Sequence, residues 1–259
     1  MRVALGVEYN GSSFFGWQSQ SSKRGVQDAL ETALQSIANH PVRVHAAGRT
    51  DTGVHALMQV IHFDTSAERP DSAWIRGVNA HLPSTVRVKW AQVVDDAFHA
   101  RFSAVQRHYQ YVLVNQPCAP AIQDGRVGWY HLPLNLKAMQ DAVKFLRGEH
   151  DFSVFRASEC QAKSPIKTIS NAEVRQQGAC FIFDFSANAF LHHQVRNMIG
   201  ALIYIGNGKH PASYMQALLA QKDRTQSPPT FSPYGLYLSG VQYDSQWGLP
   251  NTHERLTLI

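Results

Sequence analysis

The stretch that decides the fold of the N-terminal part is "RVALGVEYNGSS", residues 2–13. Its apolar residues Val3, Leu5, Val7 and Tyr9 stand at every second position, so they share one face of an extended chain. The "NGSS" that follows supplies the Asn, Gly and Ser that form turns. We therefore predict a strand that ends in a turn.

Further elements follow this strand in a recognisable order. They are a helix over 25–39, the strands "VRVHAA" and "QVIHFDT", a helix through Trp74, Ile75, Val78 and Leu82, and the strand "TVRVKWAQVV". Apolar residues at helical spacing indicate the helices, and short apolar or alternating runs indicate the strands. The order is β-α-β-β-α-β, which is that of the ferredoxin-like unit.

The rest of the chain repeats this order of elements without repeating the sequence. The predicted elements are "HYQYVLVN", a helix over 135–146, "KTISNAEVR", "CFIFDFSA", a helix over 190–206 and "YLSGVQY". We therefore predict an α+β protein with two ferredoxin-like, RRM-like domains side by side, residues 1–104 and 105–259, with a mainly antiparallel sheet. A cleft between such units is a usual place for a ligand, so we expect a central active-site cleft there.

The composition narrows the class of protein. The chain is 44% hydrophobic, with a net charge of +5 and a pI near 9.2, which is compatible with a polyanionic partner. No apolar run approaches the roughly 20 residues that span a bilayer, and "MRVALGVEYNG" lacks a secretory pattern, so we expect a cytoplasmic protein with no membrane partner. Three cysteines without a close pair argue against a disulfide framework and a zinc ribbon.

The loop "AAGRTDTGVHA", residues 46–56, carries the aspartate Asp51 between two predicted strands. A turn aspartate that bonds its own backbone is the plain interpretation. An aspartic protease needs two such carboxylates sharing a proton, whereas this chain has one Asp-Thr-Gly, flanked by Arg49 and His55. An aspartyl-phosphate enzyme would need a second Asp where Gly53 stands. A lone ionised carboxylate suits attack on an electron-poor carbon.

The segment "GRTDTGVHA" resembles the catalytic motif of the tRNA pseudouridine synthase A family. Three further segments resemble that family in the same order: "ALGVEYNGSSFFGWQSQ", "FHARFSAVQRHYQYVL" and "FLHHQVRNMIGALIYIGNGK". The resemblance covers nearly all of 1–245. It implies conversion of uridine to pseudouridine at positions 38, 39 and 40 in the anticodon stem-loop of tRNA, by a homodimer without a cofactor.

The resemblance also implies roles for particular residues. Asp51 is the nucleophile, which captures C1′ of the ribose or adds to C6 of the ring, and the sequence does not choose between them. Tyr109, in Arg107-His108-Tyr109, stacks on the target uracil; apart from the family, a core strand tyrosine is the simpler interpretation. Arg196, in "VRNMIG", pairs with Asp51 and keeps it ionised. Apart from the family, a solvated arginine is the simpler interpretation.

Other residues are expected to contact the RNA. Arg49 and His55 are predicted to bind the substrate, with Arg49 as the candidate that fills the space a flipped nucleotide leaves. The predicted phosphate contacts are Lys23, Arg24, Arg101 and Arg107, although each is equally well explained as a solvated charge. We expect no metal, because His192 and His193 as adjacent helical residues would point apart and no ligand spacing accompanies them.

Two other classes of function stay open at this point. A non-catalytic RNA-binding protein of the same fold would keep the basic surface and Tyr109 but have no need of Asp51. A hydrolase would release free uracil. The presence of Asp51, Tyr109 and Arg196 together favours the isomerase over the RNA-binding protein.

Overall fold

A computed structural model describes residues 1–256 and divides the chain into two compact units. Unit 1 contains residues 1–107 and the segment from Tyr237 onward, and unit 2 contains His108–Leu236. The predicted domains 1–104 and 105–259 change over near the same point, but they assign the segment from Tyr237 onward to the C-terminal part. As independently folding domains they stay a prediction, and residues 257–259 lie outside the described residues.

The elements before residue 104 follow the predicted order. They are β1 Arg2–Tyr9, α1 Val26–Ala38, β2 His45–Ala46, β3 His55–Asp64, a π-helical turn Ala73–Gly77, α2 Val78–His81 and β4 Val86–Val94. The elements that follow are β5 Ala104–Asn115, β6 Gly128–Tyr130, α3 Leu136–Val143, β7 Gly148–Asp151, β8 Ile166–Gln177, β9 Cys180–Ala187, α4 Gln194–Gly206, α5 Tyr214–Gln221 and β10 Leu236–Tyr243.

Each unit builds its own run of paired strands. In unit 1 the order is β4-β1-β3-β10, with β1 antiparallel to both β3 and β4, and with β2 paired to β3. In unit 2 the order is β5-β9-β8-β7, with the pairs β9–β8 and β8–β7 antiparallel. The mixed α+β class and the mainly antiparallel pairing are therefore confirmed.

Two of the predicted elements begin later in the structure than the sequence indicates. The strand predicted over "VRVHAA" pairs only at His45–Ala46, because the N–H of Val44 donates to the Glu31 carboxylate at 3.1 Å instead of to a strand. The helix predicted over 190–206 begins at Gln194, because His193 has a left-handed φ of 62° that cannot continue a helix. Side-chain acceptors and a single backbone angle set these limits.

The C-terminal segment that follows β10 binds back onto unit 1. The N–H of Val241 donates to the carbonyl oxygen of Thr252 at 2.9 Å, and the indole Nε1 of Trp90 donates to the carbonyl oxygen of Asn251 at 3.0 Å. This tail therefore ties β10 to β4, which the sequence did not indicate.

Within residues 1–256, no helix has the length and apolar content needed to cross a bilayer.

Three histidine rings pack together in unit 1. The ring centroid of buried His62 lies 5.0 Å from that of His45 and 4.6 Å from that of His99. The Nδ1 atom of His62 accepts the N–H of Ala100 at 3.1 Å, so the neutral ring is the form that fits. Burial, then the charges of His99, Arg2 and His45, lowers the pKa of His62 to about 3.

This pKa predicts acid sensitivity of the fold. An unfolded histidine titrates near ~6.5, so between about 6.5 and 3 the unfolded chain binds more protons, and stability is lost as the pH falls. The loss should approach about 1.4 kcal/mol per pH unit for this one group. Urea unfolding from pH 7 to pH 4.5 should give a shallower pH dependence for His62→Gln than for the wild type. The exposed His81→Gln is the control, and equal slopes for His62→Gln and the wild type would contradict the assignment.

Candidate active site

Asp51 lies half-buried in the loop between β2 and β3, with Arg49 exposed beside it. The loop does not pair as a strand, yet its backbone is bonded on both sides of the aspartate. The N–H of Trp17 donates to the carbonyl oxygen of Thr50 at 2.9 Å, and the N–H of Val54 donates to the carbonyl oxygen of Asp51 at 3.1 Å. The aspartate therefore has a fixed backbone position.

Two buried polar side chains, those of Tyr9 and Gln59, form hydrogen bonds with the same loop. The hydroxyl groups of Tyr9 and Thr50 share a hydrogen bond of 2.8 Å, and burial raises the pKa of Tyr9, which keeps its hydroxyl protonated. The amide Nε2 of Gln59, on β3, donates to the carbonyl oxygen of Gly48 at 2.6 Å. Buried polar groups of this kind are costly to leave unpaired, so they oppose movement of the loop.

Gly16 allows the chain to pass directly against this loop. Its φ of 80° is left-handed, and a Cβ atom there would lie 2.9 Å from the carbonyl oxygen of Thr50. The carbonyl oxygens of Gly16 and Trp17 also accept the N–H groups of Val26 and Gln27 at the start of α1. Segment 16–17 therefore joins the Asp51 loop to the N-terminus of α1.

His55 supports the loop from the interior. Its side chain is buried, its Nδ1 atom accepts the N–H of Gly11 at 3.0 Å, and its ring stacks on Tyr237 with centroids 4.6 Å apart. The sequence analysis predicted that His55 binds substrate. The burial and these contacts give His55 a structural role, and its binding of substrate stays a prediction.

The predicted phosphate-binding residues divide into two kinds. Arg107 is half-buried, and its guanidinium donates to the carbonyl oxygens of Ala104 and Ala47 at 3.1 and 3.2 Å and to that of Arg101 at 2.6 Å. It therefore holds segment 101–107 against the chain that enters the Asp51 loop. A guanidinium used in this way has fewer N–H groups left for a phosphate.

The other three predicted phosphate-binding residues, Lys23, Arg24 and Arg101, are exposed. Arg101 lies 5.7 Å from the ring centroid of Phe102, a side chain with 75% of its surface exposed. Arg24 lies 3.9 Å from the ring centroid of Phe15, and Lys23 approaches Asp28 at 3.6 Å. These side chains remain available to a charged partner.

Arg196, on α4, is half-buried and anchored within unit 2. Its Nε atom donates to the carbonyl oxygen of Phe231 at 2.9 Å, and the N–H of Phe231 donates back to the carbonyl oxygen of Arg196 at 3.3 Å. A Cβ atom at Gly200 would lie 2.6 Å from the carbonyl oxygen of Pro229, so only glycine allows this approach. The helix and segment 229–231 hold the guanidinium in place, unlike a solvated arginine.

Arg224 also supports this part of unit 2, and it lies in the segment "RTQSPPTFSP", residues 224–233, to which the sequence analysis gave no role. Its guanidinium donates to the side-chain oxygens of Asn197 and Thr230, each at 3.1 Å, and to the carbonyl oxygens of Ser227 and Pro228. These bonds fasten the loop to α4 next to Arg196. A lone arginine in "RTQSPPTFSP" gave no signal of this role.

The tyrosines of β5 differ in burial. Tyr111 is fully buried, and its hydroxyl donates to the carbonyl oxygen of Ser232 at 2.9 Å. Tyr109 is half-buried and meets Phe190 edge-on, with centroids 5.1 Å apart. Tyr111 is therefore the core tyrosine, and Tyr109 keeps part of its ring accessible.

His192 and His193 differ from the prediction that they point apart. Both precede α4, because the helix begins at Gln194, and their ring centroids lie 4.0 Å apart.

Of the predicted site residues, the structure places Asp51, Arg49 and His55 within unit 1, and it places Tyr109 and Arg196 within unit 2.

Sequence comparison assigns the chain to a class of isomerase. The model of the family described as tRNA pseudouridine synthase matches residues 6–103 and 142–244. The chain belongs to this family, and the resemblance of "GRTDTGVHA" is confirmed.

Relatives named tRNA pseudouridine synthase A match almost the entire chain. The protein of Methylobacillus flagellatus is 62% identical over 258 residues, which are 100% of this chain and 99% of the relative. That of Dechloromonas aromatica is 58% identical over 98% of this chain and 97% of the relative. That of Aromatoleum aromaticum is 56% identical over 96% of this chain and 95% of the relative.

The contacts of His55 predict a loss of stability when they are removed. His55→Phe keeps an aromatic ring against Tyr237 but removes the acceptor for the N–H of Gly11, and an unsatisfied buried donor costs about 1–3 kcal/mol. Urea unfolding should therefore show a lower midpoint with an unchanged slope. Unchanged stability combined with weaker tRNA binding would instead support a substrate contact.

Proposed function

We propose that this protein converts uridine to pseudouridine at positions 38, 39 and 40 in the anticodon stem-loop of tRNA. The observation that carries this proposal is the support of Asp51, whose loop is fixed by the Trp17–Thr50 and Gln59–Gly48 hydrogen bonds. A solvated turn aspartate would need no such support. The names of the relatives agree with tRNA as the substrate.

Asp51 acts as the nucleophile. The bond from ribose C1′ to N1 of the base breaks, the base turns, and C1′ bonds to C5, while C5 loses a proton and N1 gains one. Attack of Asp51 on C1′ or on C6 is compatible with this sequence. The reaction exchanges no electrons with another molecule, so it requires no redox cofactor.

The residues of unit 2 complete the proposed site. Arg196 pairs with Asp51, which keeps the carboxylate ionised and directed toward the substrate. The accessible part of the Tyr109 ring stacks on the target uracil. Arg49, exposed beside Asp51, contacts the flipped nucleotide or fills the space it leaves.

The wider arrangement belongs to the same proposal. Two ferredoxin-like domains enclose a central cleft in which the uridine is shielded from water, so that the detached base is not lost to hydrolysis. The enzyme acts as a homodimer in the cytoplasm. The positive net charge of +5 favours association with the tRNA backbone.

Asp51→Asn should abolish catalysis while tRNA binding survives, because it removes the nucleophile and keeps the size of the side chain. Release of tritium from tRNA labelled at uridine C5 measures the reaction directly. Asp71→Asn, at an exposed position of unit 1, is the matched control and should release tritium as the wild type does. Full activity of Asp51→Asn would rule out the mechanism, and free uracil among the products would indicate a hydrolase.

The two kinds of arginine predict opposite effects. Arg101→Ala should weaken tRNA binding and reduce the slope of log Kd against log salt by about one, with thermal stability unchanged. Arg107→Ala should lower stability by about 1–3 kcal/mol, because partly buried carbonyl groups lose their donor. Filter binding at several salt concentrations and thermal melting separate the two. A stable Arg107→Ala protein with a reduced salt slope would reverse the assignment.

A further inference from the structure

Phe15 and Arg24 form a stacked pair on the surface of unit 1. The Phe15 side chain is 40% exposed, and the Arg24 guanidinium lies 3.9 Å from its ring centroid. The pair is held by the backbone, since the N–H of Phe15 donates to the carbonyl oxygen of Arg24 at 3.0 Å. The Gln20 side chain also donates to the carbonyl oxygen of Phe15 at 2.9 Å. The stacking is therefore set by the loop.

The chain brings this pair next to the Asp51 loop. Phe15 directly precedes Gly16, and a Cβ atom at Gly16 would lie 3.2 Å from the carbonyl carbon of Asp51. The next residue, Trp17, bonds the carbonyl oxygen of Thr50. Phe15 is thus the immediate neighbour of the residue whose backbone lies against the Asp51 loop.

The surroundings of Phe15 fit a nucleic acid better than another protein. The exposed residues of the same segment are polar or cationic: Ser12, Ser13, Gln18, Gln20, Ser21, Ser22 and Lys23. Phe15 is the one exposed ring of this segment, beside the half-buried Phe14, and one exposed ring among such residues does not form the apolar centre of a protein interface. Aromatic rings and guanidinium planes both stack on unpaired bases, and the guanidinium also attracts the phosphate backbone.

We propose that the Phe15–Arg24 pair is a nucleotide-binding surface beside Asp51, on which a base adjacent to the target uridine stacks. Flipping the target removes one stacking partner from each of its neighbours, which costs free energy. An exposed ring and guanidinium next to the nucleophile replace that partner. This inference depends on the proposed function, because it takes the flipped uridine as the substrate.

The test compares variants by the kinetics of tritium release from C5-labelled tRNA. Phe15→Ala should raise KM roughly tenfold, as expected for the loss of one stacking partner, with kcat little changed, and Phe15→Trp should restore KM. Arg24→Gln should lower the salt slope of binding by about one, whereas Arg24→Lys should keep it. Val93→Ala, another exposed apolar side chain of unit 1, is the matched control and should leave KM unchanged.

A direct contact is tested with anticodon stem-loop RNA that carries 5-iodouridine next to the target. Irradiation should crosslink it to the peptide containing Phe15, and Phe15→Ala should remove that crosslink. Unchanged KM in a folded Phe15→Ala variant would overturn the surface. So would crosslinks confined to other segments, or a binding loss that sedimentation explains by a change in oligomeric state.

Failure of the underlying function gives a different result. If the wild type releases no tritium from any tRNA, the proposed function is wrong. The crosslink and the binding of stem-loop RNA by the same variants then still decide whether Phe15 contacts RNA. If the wild type is active and the Phe15 variants behave like it, only this inference is wrong.

Discussion

The hydrogen bond from the N–H of Trp17 to the carbonyl oxygen of Thr50 is the contact on which the site in unit 1 depends. It joins a loop without strand pairing to the segment that starts α1, since Trp17 also accepts an N–H from that helix. A functional loop needs a rigid scaffold if its side chain is to be positioned to within a fraction of an ångström. Here the helix and the loop are fixed through one dipeptide, which requires glycine at position 16.

Unit 2 fixes its irregular segment through hydrogen bonds of side chains. Arg224 fastens the loop after α5 to Asn197, and the far end of that loop meets Arg196 through one side-chain and one backbone hydrogen bond. A guanidinium with five donors can organise an irregular segment that has no regular hydrogen-bond partners. In unit 1 the backbone of a dipeptide thus fixes the loop of Asp51, and in unit 2 an arginine side chain fixes the loop beside Arg196.

The sequence predicted the regular strands and helices well. It did not reveal the hydrogen bonds and backbone angles that limit these elements and fix the loops between them. β1 and α1 follow from alternation and helical spacing, because their apolar faces are buried, although β1 is buried on its other face as well. The shortened β2 and the late start of α4 follow from the Glu31 acceptor and the left-handed His193, which no local pattern reveals. Asp51 was found through its motif, whereas the burial of His55 depends on contacts with Gly11 and Tyr237, distant in sequence.

Unit 1 is discontinuous along the chain, and this has a consequence for biosynthesis. All of unit 2 emerges from the ribosome before the segment from Tyr237 onward, which unit 1 requires for β10, for the ring against His55 and for the tail across β4. Domains fold as units during synthesis, with earlier segments free to start first. We therefore expect an inverted order of maturation, in which unit 2 is complete before unit 1, because unit 1 acquires β10 and the Tyr237 ring only after unit 2 has been synthesised.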